Sequence, residues 1–469
     1  MDSCIDSAGP LEYGLKPLSS NRRGYYVYIT EACNLRCNYC FVKDKLNQRH
    51  LTRPMADKVL AFIKDDAAHL KDTYIHFFGG EPLIRPAMVE YLGSELGQWS
   101  RDKGIKLKLG VTTNGTLLTA ANCEMLKRLG IGVQLSLDGS KQGNDVHRQV
   151  MGGTQVGRAA AGAFELVQVQ NYIKYFGGSR PNCRMTVTIH NLKYLSQSVR
   201  ELHALGFRSF SVIPDADCGA WTEEHLPEYE REVDRLFQYW RDHRDVSINT
   251  IDQTIEKLKR KKVQTHLCQV GKTLFGITVD GDIYPCHDFS GRFATVPEER
   301  EKLLIGNVEK GFTKNQFEFE NLTVDGRVKS GAGHDCATCW AKWVCSRACP
   351  YMNYAHSGDI RTVNATYCAT TRINATLALR WMSVLGDFTF LNAGDLQAAK
   401  NQAGRALMSA MGGADGAPFG RNKAGKPLLP GPAQLRRFGL DMGASRAGNG
   451  VVRQDGVAGP PVRELPANN

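Results

Sequence analysis

Short apolar or alternating runs recur through the first half of the chain, each followed by a longer stretch with helical periodicity. Tyr25–Ile29, Thr73–Phe78, Lys106–Thr112, Gly132–Leu137, Arg184–His190 and Arg208–Pro214 read as strands. Between them Met55–His69, Pro86–Arg101, Ala120–Leu129, Gly157–Tyr175 and Leu195–Leu205 read as helices. Such alternation implies an α/β fold whose parallel sheet is joined by right-handed crossovers, either doubly wound and open or a partial barrel. Both forms gather their chemistry at the C-terminal ends of the strands.

The pattern changes after Pro214. Glu223 to Arg244 is a polar, charged helix, and from Cys268 to Cys368 cysteine spacing replaces hydrophobic periodicity as the organising feature. A last helix, Thr366–Leu385, is expected to pack back on the body. Beyond Ser409 the chain turns to Gly, Ala, Pro and Arg, as in Gly412-Gly413-Ala414-Asp415-Gly416 and Gly459-Pro460-Pro461, a composition expected to stay mostly disordered. The expected divisions are an N-terminal segment 1–24, a barrel 25–245, a cysteine-rich domain with closing helix 246–390, and a tail 391–469.

Composition narrows the compartment. The 469 residues are 42% hydrophobic, enough for a sizeable core. No apolar run approaches the ~20 residues that span a bilayer, and the first thirty residues lack a signal-peptide core. A cytoplasmic protein without a membrane partner is expected. Fourteen cysteines in a reducing compartment point to metal rather than disulfides. The net charge of +11 comes partly from Lys257, Lys259, Arg260, Lys261 and Lys262. A solvated helix face accounts for that run better than an RNA or acidic-peptide site, so nucleic acid is not expected as a partner.

Cys33, Cys37 and Cys40 follow the first strand at CxxxCxxC spacing, with Tyr39 before the third. Three thiolates leave one of four ligand positions open for an external ligand, unless a distant residue closes a structural metal knot. Phe78-Gly79-Gly80-Glu81-Pro82 ends the second strand, where glycines permit close backbone approach and a carboxylate can accept from an ammonium. Thr112-Thr113-Asn114-Gly115 ends the third strand and Ser136-Leu137-Asp138-Gly139 the fourth. Turn and capping roles stay open for each polar residue.

The CxxxCxxC loop followed by the GGEP segment resembles the radical SAM superfamily. The resemblance implies a [4Fe–4S] cluster on Cys33, Cys37 and Cys40 whose fourth iron chelates S-adenosylmethionine. It places Tyr39, Gly79, Gly80, Glu81, Pro82, Thr113 and Asn114 around that cofactor, with Ser136 and Asp138 near its carboxylate or ribose. Arg148 matches a pattern of peptide-modifying members and could pair with the cofactor carboxylate or a substrate acid; a structural salt bridge is the other reading.

Downstream, Cys268, Cys286, Cys336-x2-Cys339-x5-Cys345-x3-Cys349 and Cys368 resemble the SPASM extension. By resemblance Cys336, Cys339, Cys345 and Cys368 enclose one auxiliary [4Fe–4S] cluster. By the same resemblance Cys268, Cys286 and Cys349 hold a second, its fourth position unassigned, because Gly271 to Ile277 lacks the extra cysteine of some members; either that iron stays open to a substrate group or a cysteine from elsewhere completes it. Cys218 is a candidate ligand or active-site thiol, or else a plain semi-buried cysteine. His287 stands where sulfatase-maturating relatives carry aspartate, and Asp288 comes one later. Either could accept a proton from a substrate, or hydrogen-bond to the cluster from outside.

The expectation is a partial (β/α)6 TIM-like barrel, a SPASM iron–sulfur domain and a tail. The implied activity is oxidative modification of a peptide or protein, such as maturation of a ribosomally made precursor, fed by a flavodoxin- or ferredoxin-like electron donor. A leader, if present, is expected to bind elsewhere or through a separate protein. The alternatives are a formylglycine-generating sulfatase maturase, a SAM-dependent small-molecule dehydrogenase, an RNA-modifying protein, and a structural zinc protein.

Overall fold

The computed structural model describes residues 22–42, 49–151, 162–215, 221–260, 262–263, 268–294, 296–313, 315, 319, 328–333 and 335–385. Six strands lie side by side in chain order: β1 (Arg22–Thr30), β2 (Asp72–Gly79), β3 (Lys106–Thr113), β4 (Ile131–Ser136), β5 (Asn182–Val187) and β6 (Ser209–Pro214). All are parallel. The crossovers carry α1 (Arg53–Asp66), α2 (Pro86–Lys103), α3 (Ala120–Arg128), a single turn α4 (Lys141–Asn144), α5 (Val169–Phe176) and α6 (Leu195–Ala204). This is the partial barrel that the family resemblance implied; the alternation by itself had left a doubly wound open sheet as the other form.

Period-two alternation sorts the strand residues between two faces. Tyr25, Val27, Ile29, Ile75, Phe77, Val111, Leu135, Met185 and Val187 are buried in the core. Each such side chain contributes roughly 1.5–3 kcal/mol through removal from water. Residues of the opposite parity fall on the inner face, where Tyr26, His76 and Phe78 meet ring to ring. The helices start and stop where local chemistry dictates. Thr52 caps α1 by accepting from the Met55 N–H, and α2 ends at Gly104 in the left-handed region.

Two boundaries differ from the sequence reading. β5 stops at Val187 because the Thr188 N–H donates to Asn191 Oδ1 at 2.8 Å, and Asn191 Nδ2 donates back to the Thr186 carbonyl. Among the described residues the helix expected over Gly157–Tyr175 is α5, preceded by a 3₁₀ turn at Phe164–Leu166, and residues 157–161 lie outside them. Gly162 bridges to Gln149 and the Ala163 N–H donates to the Arg148 carbonyl, so this stretch is tied to the chain after Arg148.

The cysteine-rich region continues the same sheet, which the sequence did not suggest. β7 (Ser247–Ile248) follows β6 and leads into the helix Asn249–Arg260, while β8 (Leu274–Ile277) pairs parallel with β1 on the side away from β2. β9 (Asp282–Tyr284), β10 (Gly306–Asn307) and β11 (Gly311–Phe312) then extend that side antiparallel. Phe275 and Ile277 of β8 are buried, and Gly276 is required because a Cβ there would lie 2.6 Å from the Cys286 carbonyl oxygen. The polar helix (Leu226–Asp242) is closed over by the helix Ala365–Val384, whose Trp381 stacks on Phe237 and donates to Asp234 at 2.8 Å. The expected tail and Cys218 lie outside the described residues. Among the described residues no helix is long and apolar enough to cross a membrane.

Candidate active site

The loop after β1 is held by the ends of β2 and β3. The Gly80 N–H donates to the Thr30 carbonyl at 2.8 Å and the Glu81 N–H to the Ala32 carbonyl at 2.9 Å. Gly79 has φ 127°, and a Cβ on either glycine would collide with the Thr30 or Ala32 carbonyl oxygen. The two glycines therefore let β2 lie directly against the backbone that carries Cys33.

Glu81 is fully buried. It accepts from Thr113 Oγ1 at 2.8 Å, the Asn114 N–H at 2.8 Å and the Leu83 N–H at 3.1 Å. Burial pushes its carboxyl up to about 7, against the pull of those donors and Arg148. Pro82 begins the 3₁₀ turn that Glu81 caps. Asn114 reaches the cysteine loop itself: its Nδ2 donates to Asn34 Oδ1 at 2.8 Å and lies 3.8 Å from Cys33 Sγ, which also accepts from the Leu35 N–H at 3.4 Å.

Asp138 and Arg148 form a buried pair. Arg148 donates to Asp138 through Nε at 2.9 Å and Nη2 at 3.0 Å, the Thr186 N–H donates to Asp138 Oδ1 at 2.9 Å, and the Tyr39 hydroxyl donates to Asp138 Oδ2. The pair thus fixes the aromatic residue beside Cys40. Ser136 stands at the end of β4 with its hydroxyl hydrogen-bonded to nothing among the described residues, and is paired in register with Arg184 of β5.

The second cysteine set divides in space. Cys336, Cys339, Cys345 and Cys368 line one cavity together with Arg347 and Arg372. The Arg347 N–H donates to Cys345 Sγ at 3.3 Å, and the Ser330 hydroxyl lies 3.4 Å from Cys368 Sγ. Cys286 and Cys349 sit elsewhere, each immediately before a helix, His287–Phe293 and Pro350–Ser357. Backbone N–H groups of Asp288 and Phe289 reach the Cys286 sulfur, and those of Tyr351 and Met352 reach Cys349. Cys349 is the electrostatic neighbour of both Cys286 and Cys268. N–H donors aimed at sulfur, and converging thiols, are what an anionic iron–sulfur cluster requires, so both cysteine groups fit one. Burial pushes the metal-free thiols up, to about 11 for Cys336 and about 12 for Cys349, so metal binding there releases protons. Cys123 and Cys183 are plain core thiols: the first donates to the Leu118 carbonyl at 3.6 Å, and the second is buried in β5.

His287 leaves the cysteine segment and enters the barrel. Its ring stacks on Tyr26 at 4.1 Å and meets Phe78 edge-on at 4.7 Å. Nδ1 is buried with no hydrogen-bond partner among the described residues, and burial lowers the ring's pKa, with Arg184 acting in the same direction and Asp288 opposing. Beyond Tyr26, a chain runs from the Tyr74 hydroxyl to His76 Nδ1, from His76 Nε2 to Thr112 Oγ1 at 2.7 Å, and on to Gln134 Oε1 at 3.1 Å. Burial drives His76 down to about 3. Gly110 makes room for this group, since a Cβ would lie 2.6 Å from His76 Nδ1. Tyr26, His76, Gln134 and Arg184 were not singled out from the sequence. The signal available was a charged or polar residue inside each apolar strand.

This arrangement was compared with known proteins. Residues 27–168 match the family model described as the Radical SAM superfamily. The barrel is a radical SAM domain. The chain is 24% identical over 344 residues to the serine-type anaerobic sulfatase-maturating enzyme of Klebsiella aerogenes, covering 70% of this chain and 79% of that protein. It is 24% identical over 360 residues to the cysteine-type enzyme of Clostridium perfringens, covering 72% and 89%. The solved structure of native anSMEcpe with bound AdoMet aligns with TM-score 0.60 and 20% identity over 78% of this chain and 99% of that one, which establishes the shared fold. The protein is a radical SAM enzyme related to the sulfatase maturases.

Proposed function

We propose that this radical SAM enzyme oxidises a peptide or protein side chain held in the barrel lumen, and passes the released electron outward through two auxiliary clusters. The observation that carries the reading is His287: it follows Cys286 directly yet stacks on Tyr26 inside the barrel. One segment thus reaches both a cysteine cage and the space where a substrate would lie.

Cys33, Cys37 and Cys40 would hold the [4Fe–4S] cluster, with the Gly79–Gly80 backbone and the free Ser136 hydroxyl available to S-adenosylmethionine. Bound together, these groups supply a 5′-deoxyadenosyl radical, able to take hydrogen from a C–H bond that no protein acid or base can cleave. The chain's own work is to align that hydrogen and keep water out, for which the lumen offers the Tyr26, Tyr28, Phe41 and Phe78 rings. His287 takes the proton that must leave the oxidised substrate, at its unpartnered Nδ1. Its lowered pKa keeps the ring neutral and ready to accept. Cys268, Cys286, Cys349 and the cage of Cys336, Cys339, Cys345 and Cys368 would carry the electron to a flavodoxin- or ferredoxin-like carrier, and a separate protein would present any leader.

Formylglycine formation is the second reading, favoured by the 24% identity to the two sulfatase-maturating enzymes. The histidine directly after Cys286 separates this chain from the aspartate of that group's pattern. Anaerobic incubation of reconstituted enzyme with reductant, S-adenosylmethionine and candidate peptides tests both readings by mass change. Cys37→Ala is expected to abolish 5′-deoxyadenosine while leaving the auxiliary iron in place. Deoxyadenosine from that variant would refute the cofactor assignment.

A further inference from the structure

The cage around Cys268, Cys286 and Cys349 has three thiols, and a four-iron cluster has four irons to ligate. From the geometry we infer that the Asp288 carboxylate is the fourth ligand of this inner auxiliary cluster. The inference rests on the reading that those three cysteines hold a cluster.

Five observations bear on Asp288. Ligand atoms of Cys286, His287 and Asp288 all lie within 4.8 Å of one another, close enough for one cage. The carboxylate is the charged neighbour common to the Cys286 and Cys349 thiols. His287, the other donor in that group, stacks its ring on Tyr26, meets Phe41 and Phe78, and lies with Nε2 3.4 Å from Asp288 Oδ1, so its side chain is held between the lumen and that carboxylate. The described spare cysteines are also out of place. Cys123 lies in α3, bonded to Leu118, and Cys183 lies in β5 among the buried core residues. The position at which a further thiol would be sought, Gly271–Ile277, is occupied by the turn and strand that pair with β1.

A carboxylate in this place has a chemical consequence. Oxygen is a harder ligand than thiolate and binds iron less tenaciously, so this corner would be the exchangeable one of the cluster. The adjacent residues His287 and Asp288 would then divide the labour, one facing the substrate and the other the metal.

The test uses the full chain with Cys33→Ala, Cys37→Ala and Cys40→Ala, which removes the cluster of the barrel loop and needs no substrate. After anaerobic reconstitution with iron-57 and sulfide, the parent should hold about eight irons as two four-iron clusters. Asp288→Ala should lose about one iron per chain on brief ferricyanide oxidation and show the near-isotropic EPR signal of a three-iron cluster. Asp288→Cys should retain all its iron and lack that signal, a rescue that a merely hydrogen-bonding carboxylate would not give. Asp288→Ala indistinguishable from the parent, or no rescue by Asp288→Cys, overturns the assignment. So does a three-iron signal produced by Cys218→Ala and absent from Asp288→Ala. A parent holding only about four irons would instead defeat the underlying two-cluster reading.

Discussion

Glu81 shows how a motif residue can serve the fold and the site together. With its carboxyl pushed up to about 7 from the ordinary 4.5, the native state keeps a proton that the unfolded chain gives up. Stability from this group is therefore full below about pH 4.5 and is lost as pH rises through 7. Urea unfolding of the metal-free chain should lose up to about 3 kcal/mol across that window, and Glu81→Gln should flatten the dependence. The Asp138–Arg148 pair behaves differently because both partners are charged and buried. Arg148→Met leaves the Asp138 carboxylate without its counter-ion and should cost about 3–5 kcal/mol in the same assay. At this scale the grouping of Cys336, Cys339 and Cys345 was legible in the sequence, since short local spacing brings thiols to one cavity. Whether Arg148 meets a ligand or Asp138 was not, because a ten-residue separation sets no direction for a side chain. The lumen residues Tyr26, His76 and Arg184 were hidden for another reason: alternation separates two faces without saying which one encloses a cavity.

At the level of elements, the strand ends do the positioning. β2 crosses the cysteine loop through Gly79 and Gly80, so Gly80→Ala should push the loop away from β2. The expected result is loss of about four irons, those of the barrel-loop cluster, with the auxiliary irons retained; unchanged iron content would show that the loop tolerates the shift. Between Cys345 and Cys349, Arg347 and Ala348 both have φ 62°, a left-handed pair that turns the chain from one cage to the other. Strand existence and order were legible for β1 to β6 because each apolar run is bounded by clear breakers. β8 was not, since Leu274–Ile277 has only four residues and draws its stability from pairing with β1.

The molecule as a whole joins a radical SAM barrel to two cysteine cages through a shared sheet. If electrons leave by that route, a variant lacking both cages, such as one with Cys286→Ala and Cys339→Ala, should still cleave S-adenosylmethionine yet form no product. Undiminished product would refute the outward route. The placement of β8 carries one further consequence, for handling the protein. β1 has a neighbour on each side only while the cysteine segment is attached, so a shortened fragment ending before β8 would leave a row of backbone donors and acceptors bare along β1. Such a fragment should precipitate or self-associate on expression, and the barrel should be obtainable in dispersed form only when made in one piece with its cysteine-bearing neighbour.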